Sequence, residues 1–449
     1  MNDTIAAIST TTGSGAISII RISGKESIQI VNKIFKGKDL TKVPSHTIHY
    51  GHIESENKIE DEVLVTIMKA PKTFTTEDIV EINCHGSIVV TKKILEILIT
   101  LGCRLAEPGE FTKRAFLNGR IDLIEAEGIM DLINSKTEAE KKLALNQIDG
   151  KVSNLIKNLR QKILEILAQI EVKIDYPEYE DIEEITYNEL KIQTEQIENE
   201  ITRIIKESEN GKIIKEGIKT AIVGRPNVGK SSLLNNLLQE EKAIVTDIEG
   251  TTRDTVEGTI IINGIKLELI DTAGIRKTED KVEKLGVDKS LKTIEYADLV
   301  LLVLNNNQKL TEYDKELLEK IKNKNHIIII NKIDLEKNIE KIEDKNIVEI
   351  SALNNEGIEQ LKNKIIEMYD LEEIESKDAT YLTNARGLSL LKQSKKIINE
   401  INKGINTNQP IDMIEIDIKR IWELLGEITG ETYQEELINQ LFSQFCLGK

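Results

Sequence analysis

Aromatic residues are scarce in this chain: six Phe, nine Tyr and one Trp among 449 residues, or 4%. Its cores must therefore be filled by aliphatic side chains, chiefly Ile and Leu. Cysteine is scarcer still. Cys84, Cys103 and Cys446 are odd in number, far apart and form no C-x-x-C. That excludes a disulfide framework and a Cys-based zinc site, and it fits a reducing compartment. No apolar run approaches the roughly 20 residues that a membrane span needs. The longest, such as 297–304 and 326–330, have the length of buried parallel strands. Met1-Asn2-Asp3-Thr4 lacks the basic start and apolar stretch of a secretory signal and the Arg-rich character of a transit peptide, so a cytoplasmic location without a membrane partner is expected. Positive charge is in deficit. A net charge of −17 argues against a broad basic surface for nucleic acid, so any such contact must be local or supplied by another subunit.

What is present suits a soluble, globular, multidomain chain, with 39% hydrophobic and 31% charged residues. Residues 1–118 mix strand and helix signals: Ala16 to Ile22, Glu62 to Met68 and Asp78 to Cys84 read as strands, and Ser87 to Leu101 as a helix. This region is expected to be an α+β domain. Helical periodicity follows. Val152 to Ile174 carries an apolar stripe, and Leu190, Ile197, Ile201, Ile204 and Ile205 recur at helical spacing. Acidic Tyr176 to Glu184 reads as a loop between helices. From Ile218 short apolar runs alternate with helices, the pattern of a mostly parallel sheet. Beyond about 378 the pattern is helical again, including Ile411 to Ile428 around Trp422. The expected architecture is thus an N-terminal α+β domain (1–118), a helical bundle built from two segments (119–216 and 379–449), and an α/β domain (217–378) inserted between them.

The inserted domain holds the chemistry. Gly224-Arg225-Pro226-Asn227-Val228-Gly229-Lys230-Ser231 fits G-x-x-x-x-G-K-[ST], after a strand and before a helix beginning at Ser232. Backbone N–H groups of such a loop cradle phosphates, the lysine reaches the β and γ oxygens, and the serine hydroxyl ligates Mg²⁺. Asp271-Thr272-Ala273-Gly274 follows another strand and the Asn263-Gly264 turn. Asp271 is expected to hold Mg²⁺ through water, and the Gly274 N–H to sense the γ-phosphate. Asn331-Lys332-Ile333-Asp334 follows a further strand, and Asp334 can accept two N–H donors from guanine, which adenine cannot offer. Ser351-Ala352-Leu353 would bring a backbone N–H to the guanine oxygen. A Ras-like P-loop GTPase domain using GTP follows.

Hydrolysis is less determined. Ile275 stands after Gly274, where many small GTPases place a water-orienting Gln, and an aliphatic cannot polarise water. Glu283, on the second switch segment, is the candidate, although its residue type alone reads as a solvated helix carboxylate. The first switch segment supplies Thr246, Asp247, Ile248, Glu249, Gly250, Thr251 and Thr252 beside the nucleotide, with Thr252 the second Mg²⁺ ligand. Asn227 and this oxygen-rich segment could hold a monovalent cation that stabilises transition-state charge; Arg253 or Arg276 could do so instead.

The nucleotide domain resembles the Era-like branch of the translation-factor-related GTPases. Residues 75–86 (Thr-Thr-Glu-Asp-Ile-Val-Glu-Ile-Asn-Cys-His-Gly) and 108–120 (Pro-Gly-Glu-Phe-Thr-Lys-Arg-Ala-Phe-Leu-Asn-Gly-Arg) resemble the N-terminal domain of the tRNA modification GTPase family MnmE (TrmE). Phe445-Cys446-Leu447-Gly448-Lys449 resembles that family's F-C-[IL]-G-K ending. The resemblance runs the whole length. It implies a homodimer through the N-terminal domains, with 5-formyltetrahydrofolate or a related tetrahydrofolate held by Arg21, Glu81, Arg120 and Lys449. It implies potassium-stimulated hydrolysis, with K⁺ at Asn227, Thr246, Ile248 and Thr251 and with Glu283 orienting water. It also implies an FAD-dependent partner, MnmG, completing a heterotetramer that holds most of the tRNA and adds a carboxymethylaminomethyl-type group at C5 of wobble uridine U34.

Cys446 is a candidate nucleophile in the one-carbon chemistry, set against a packed free thiol; His85, beside Cys84, is expected to be structural. The chain departs from the family at Thr76 and Ser87, where Gly is common, and in the loop Thr10 to Gly15. The competing reading is an Era-like GTP-gated ribosome-assembly or RNA-binding factor, which would favour a basic module outside the nucleotide domain; none is visible.

Overall fold

A computed structural model describes residues 3–11, 13–175, 187–240, 256–262, 264–270, 293–369, 382–432, 435–446 and 448. In chain order the elements are β1 (Ile5–Ile8), β2 (Ile17–Ser23), α1 (Ser27–Ile34), β3 (Phe35–Lys36), β4 (Thr47–Ser55), β5 (Lys58–Met68), β6 (Ile79–His85), α2 (Ile88–Thr100), β7 (Arg104–Leu105), α3 (Glu110–Leu117), α4 (Leu123–Asn134), α5 (Glu138–Ile148), α6 (Lys151–Asp175) and α7 (Tyr187–Glu216). They continue with β8 (Ile218–Val223), α8 (Lys230–Glu240), β9 (Val256–Ile262), β10 (Ile265–Ile270), β11 (Leu299–Asn305), α9 (Glu312–Ile321), β12 (His326–Asn331), β13 (Ile347–Ile350), α10 (Ile358–Met368), α11 (Ala385–Asn406), α12 (Ile411–Thr429) and α13 (Glu435–Phe442). The chain packs as two units, one of residues 1–134, 145–201 and 389–449, the other of 135–144 and 202–388.

In the first unit a sheet runs in the order β3-β4-β5-β6-β2-β1-β7, antiparallel except where β1 pairs with β7. Alternation along β2 sends Ser18, Ile20 and Ile22 inward, towards a core shared with α1 and α2, and leaves Arg21 on the other face. The antiparallel register sets Arg21 directly opposite Glu81 on β6. Helices α6 and α12 come from the two chain segments that flank the inserted domain. Between them, the Arg160 guanidinium stacks 3.9 Å from the centroid of Trp422, its Nε donates to the Trp422 carbonyl, and it pairs with Glu431. The predicted helical stripes lie inward, with Leu190, Ile197, Ile201, Ile204 and Ile205 all buried. The Tyr176 to Glu184 loop lies outside the described residues.

In the second unit the sheet order is β13-β12-β11-β8-β10-β9, parallel except for the β9–β10 hairpin. β11 and β12 are buried at every position because both faces of the sheet are covered, which is why they read as unbroken apolar runs. One core lies on each face. β8 sits between β11 and β10, where the strand order reverses. In open α/β sheets the crevice beyond the carboxyl ends of the strands at such a point is where ligands bind. The loop that leaves β8 there is the Gly-rich one. This is a P-loop GTPase-like domain with a mostly parallel sheet.

Candidate active site

The loop 224–229 turns from β8 into α8, and Lys230 opens that helix. Three of its residues have positive φ: Gly224 at 144°, Asn227 at 61° and Gly229 at 100°. Space forbids side chains at both glycines. A Cβ at Gly224 would lie 2.3 Å from the Val303 carbonyl oxygen, and one at Gly229 would lie 2.1 Å from Asn331 Nδ2. Glycine here serves close approach as well as φ. Ser231 and Ser232 stand in the first turn of α8, where backbone N–H groups lack intrahelical partners and favour an anion. Lys230 Nζ donates to the carbonyls of Gly224 (2.7 Å) and Arg225 (2.6 Å). Burial pulls its pKa down to about 8, so a negative ligand would compensate a poorly solvated ammonium.

Asn331 knots together stretches far apart in sequence. Its Nδ2 donates to the Val228 carbonyl (2.8 Å) in the phosphate loop. Its Oδ1 accepts from the N–H of Lys332 (2.8 Å) and of Ala352 (3.0 Å). Lys332, at φ 68°, sends its Nζ to the Asn227 carbonyl (2.8 Å). The exposed Asp334 is held by the hydroxyl of the buried Ser351, which donates to Oδ1 at 2.5 Å. The phosphate loop, the 331–334 motif and Ser351-Ala352-Leu353 are therefore one assembly at the crevice, with Leu353 exposed. The Ala352 N–H is engaged by Asn331, a use the sequence reading did not foresee. It also missed Arg225, whose guanidinium is paired with Asp314 at the start of α9. The available signal was Thr311-x-x-Asp314, a capping pattern.

Ser231 offers a hard hydroxyl oxygen beside this cradle, the donor type that Mg²⁺ takes. Thr246, Asp247, Ile248, Glu249, Gly250, Thr251, Thr252, Asp271, Thr272, Ala273, Gly274 and Glu283 lie outside the described residues, as does Lys449. Of the predicted potassium ligands, Asn227 alone is described.

The folate candidates divide between two places in the first unit. Arg21 Nε and Nη2 both lie 2.8 Å from Glu81 Oε1. The guanidinium sits 5.7 Å from the centroid of Phe111, and Nη1 donates to the Gly448 carbonyl at 3.4 Å. That carbonyl also accepts from the Ser9 hydroxyl (3.0 Å), and the Cys446 carbonyl accepts from the Gly109 N–H (3.1 Å). Gly448 thus lies beside Arg21, and Cys446 beside Gly109. Arg120 instead donates to the Phe74 carbonyl (2.9 Å) and stacks 4.9 Å from that ring's centroid. It lines an open cleft of about 560 Å³ with Met68, Thr76 and Asn118, which contains neither Arg21 nor Glu81. Thr76 has φ 62°, the left-handed conformation that a glycine would adopt without strain.

Cys446 is exposed, whereas Cys84 is buried, and burial raises its thiol pKa to about 11, far from a thiolate at neutral pH. His85 pairs with Asp61 (2.7 Å), which holds its pKa above the ordinary value. Within the 108–120 motif, Glu110 and Arg114 are buried parts of a charge network with Asp3, Glu77 and Arg104.

Among the described residues no helix is long and apolar enough to cross a membrane. Residues 4–120 match the family described as GTP-binding protein TrmE N-terminus, and residues 123–446 match that described as MnmE helical domain. The tRNA modification GTPase MnmE of Streptococcus thermophilus is 55% identical over 449 residues, covering 100% of this chain and 98% of the relative. The protein of that name from Streptococcus mutans is also 55% identical, over 100% and 99%. That from Bacillus cytotoxicus is 54% identical over 455 residues, again covering 100% and 99%. GTP and Mg²⁺ binding accompany such a GTPase. With two family matches in succession and more than half its residues shared along the full length of these relatives, the chain belongs to the MnmE family of tRNA modification GTPases and is a GTP hydrolase of tRNA modification.

Proposed function

We propose that this GTPase is the nucleotide-driven subunit of a complex that adds a carboxymethylaminomethyl-type group at C5 of the wobble uridine U34, working in the cytoplasm. The observation that carries this reading is the contact of Gly448 with Arg21, the partner of Glu81, together with that of Cys446 with Gly109. Residues from both ends of the chain meet there, and the arrangement suits a ligand with both carboxylate and ring N–H groups. A bound tetrahydrofolate supplies a one-carbon unit. Arg21, Arg120 and Lys449 offer cations to its glutamyl carboxylates, and Glu81 accepts from pterin donors. Cys446, exposed and two residues from Gly448, is the thiol available to the one-carbon chemistry.

At the nucleotide, Lys230 and the phosphate-loop amides, from Asn227 to Ser232, neutralise the β and γ oxygens. Ser231 and Thr252 hold Mg²⁺. Asp334 selects guanine through two N–H contacts. Glu283 orients the attacking water, and Asn227, Thr246, Ile248 and Thr251 hold K⁺. A homodimer is supported by the outward apolar residues Ile48, Tyr50 and Leu64 on β4 and β5, with Tyr50 and Leu64 paired in register. The acidic chain leaves most of the tRNA to an FAD-dependent partner, MnmG.

Nucleoside analysis of tRNA from cells lacking this protein is expected to show loss of the modified wobble uridine; an unchanged profile would favour an assembly-factor role. Hydrolysis should run faster in KCl than in NaCl at equal ionic strength, and equal rates would remove the potassium site. Glu283→Ala should keep GTP binding and lose most hydrolysis.

A further inference from the structure

Arg225 occupies the second position of the phosphate loop, where a guanidinium has phosphate within its reach as an alternative partner. The structure directs it elsewhere. Its Nε lies 3.0 Å from Asp314 Oδ1 and 2.9 Å from Oδ2. The Asp314 side chain has no exposed surface, and that of Arg225 retains 20%. Oδ2 of Asp314 also accepts from the N–H and the hydroxyl of Thr311, both at 2.9 Å, and the Asp314 N–H returns to the Thr311 hydroxyl at 3.3 Å. This closes a capping box at the start of α9. A carboxylate removed from water must have its charge met inside the protein, and Arg225 is the cation paired with it. Helix α9 is itself seated on the sheet through the buried Leu317 and Ile321. The loop is therefore fastened at residue 225 to a packed helix.

The fastening leads to the working lysine. Lys230 Nζ donates to the carbonyl of Arg225, the residue whose side chain is held by Asp314. Pro226 follows, and its restricted φ carries the placement of residue 225 on towards Asn227. We infer that Arg225 and Asp314 are positioning residues for nucleotide binding: the pair holds the peptide of residue 225 where its carbonyl aims the Lys230 ammonium into the phosphate cradle. This rests on residues 224–231 being that cradle. A lysine at 225 would keep the charge but set its nitrogen one bond further from the backbone than the Nε that meets both carboxylate oxygens.

The test measures GDP and GTP affinity of the full chain at saturating Mg²⁺, with urea unfolding alongside. Arg225→Ala weakens both nucleotides by about tenfold in the folded fraction, because the β-phosphate is common to them, and also lowers the unfolding midpoint, because it leaves the buried Asp314 carboxylate without its cation. Arg225→Lys recovers part of the loss. Asp314→Asn weakens binding similarly, and the double variant is no worse than the weaker single variant. Arg225→Ala binding within twofold of the parent overturns the inference, as does a lowered unfolding midpoint with unchanged affinity of the folded fraction. Asp314→Asn binding as tightly as the parent, while Arg225→Ala is weak, also overturns it, since Arg225 would then meet phosphate itself. If Asp314→Asn does not fold, the two Arg225 variants decide. Lys230→Ala separates the levels: binding like the parent removes the cradle and the inference together. Loss in Lys230→Ala without loss in Arg225→Ala removes the inference alone.

Discussion

The nucleotide crevice and the N-terminal sheet use polar residues in opposite ways. Around the crevice, side chains hold backbone. Asn331 ties the carbonyl of Val228 to the N–H of Ala352, Lys332 holds the Asn227 carbonyl, and Lys230 holds those of Gly224 and Arg225. Asp334 is steadied by one hydroxyl and stays exposed for a ligand. In the network around α3 charges hold one another: Arg114 with Asp3, Glu77 and Glu110, and Arg104 with Asp3 and Glu110. A site prepared for a ligand keeps its binding groups supported yet unspent, whereas a network that saturates itself is scaffold. The contrast separates the two roles inside the single 108–120 string, since Glu110 and Arg114 belong to the scaffold and Arg120 to the cleft.

The comparison breaks most easily at Gly229. Gly229→Ala would put a methyl group 2.1 Å from Asn331 Nδ2 at a φ of 100°. Nucleotide binding should fall below detection in a fluorescent-nucleotide titration while the first unit keeps its folded signal; retained binding would show that the knot can yield. Next comes Arg114→Ala, which removes a fully buried guanidinium, takes the cation from Glu77 and leaves Glu110 to Arg104, and should cost about 3–5 kcal/mol in urea unfolding. GTP affinity of the protein that remains folded should not change, and a parallel loss would mean that scaffold and crevice are not separable.

The same network has a pH signature. Burial opposes ionisation of Asp3 and Glu110, but Arg104 and Arg114 outweigh it and hold both carboxyls below their ordinary values of 3.8 and 4.5. Their stabilisation is complete above that range and is lost as the pH falls through the lowered values. Acid unfolding below about pH 4 should therefore be shallower in Glu110→Gln than in the parent. The smallest effect belongs to Thr76. Thr76→Gly should raise stability by about 0.5–1 kcal/mol by relieving a β-branched residue from left-handed backbone, and a loss would mean that the threonine side chain has a contact worth more than its strain.

The parts of the crevice legible in the sequence are those where residue type answers a backbone demand. Gly224 and Gly229 are needed for close approach, β11 and β12 are apolar because both sheet faces are covered, and the three motifs each follow a strand. The Arg225–Asp314 pairing spans 89 positions, and nothing local to Arg225 announces it. Arg21 and Glu81 sit opposite each other on neighbouring strands, a pairing that any half-exposed sheet could carry, so resemblance alone marked them. The short β1 and the strand β4, interrupted by His49, Gly51 and His52, escaped because their patterns lack a long run of β-branched residues. The 108–120 string drew attention as a whole, although the structure gives its members different duties.

The bonds around Asn331 bear on how base preference could drift. Any replacement there must at once supply a donor to one peptide and an acceptor to two others; Asp lacks the donor and Gln misplaces both. Among the described residues, Asp334 is held by Ser351 alone. A lineage, or a designer, seeking a different purine therefore has one position where a single exchange leaves the cradle standing, and another, three residues earlier, where almost every exchange dismantles it.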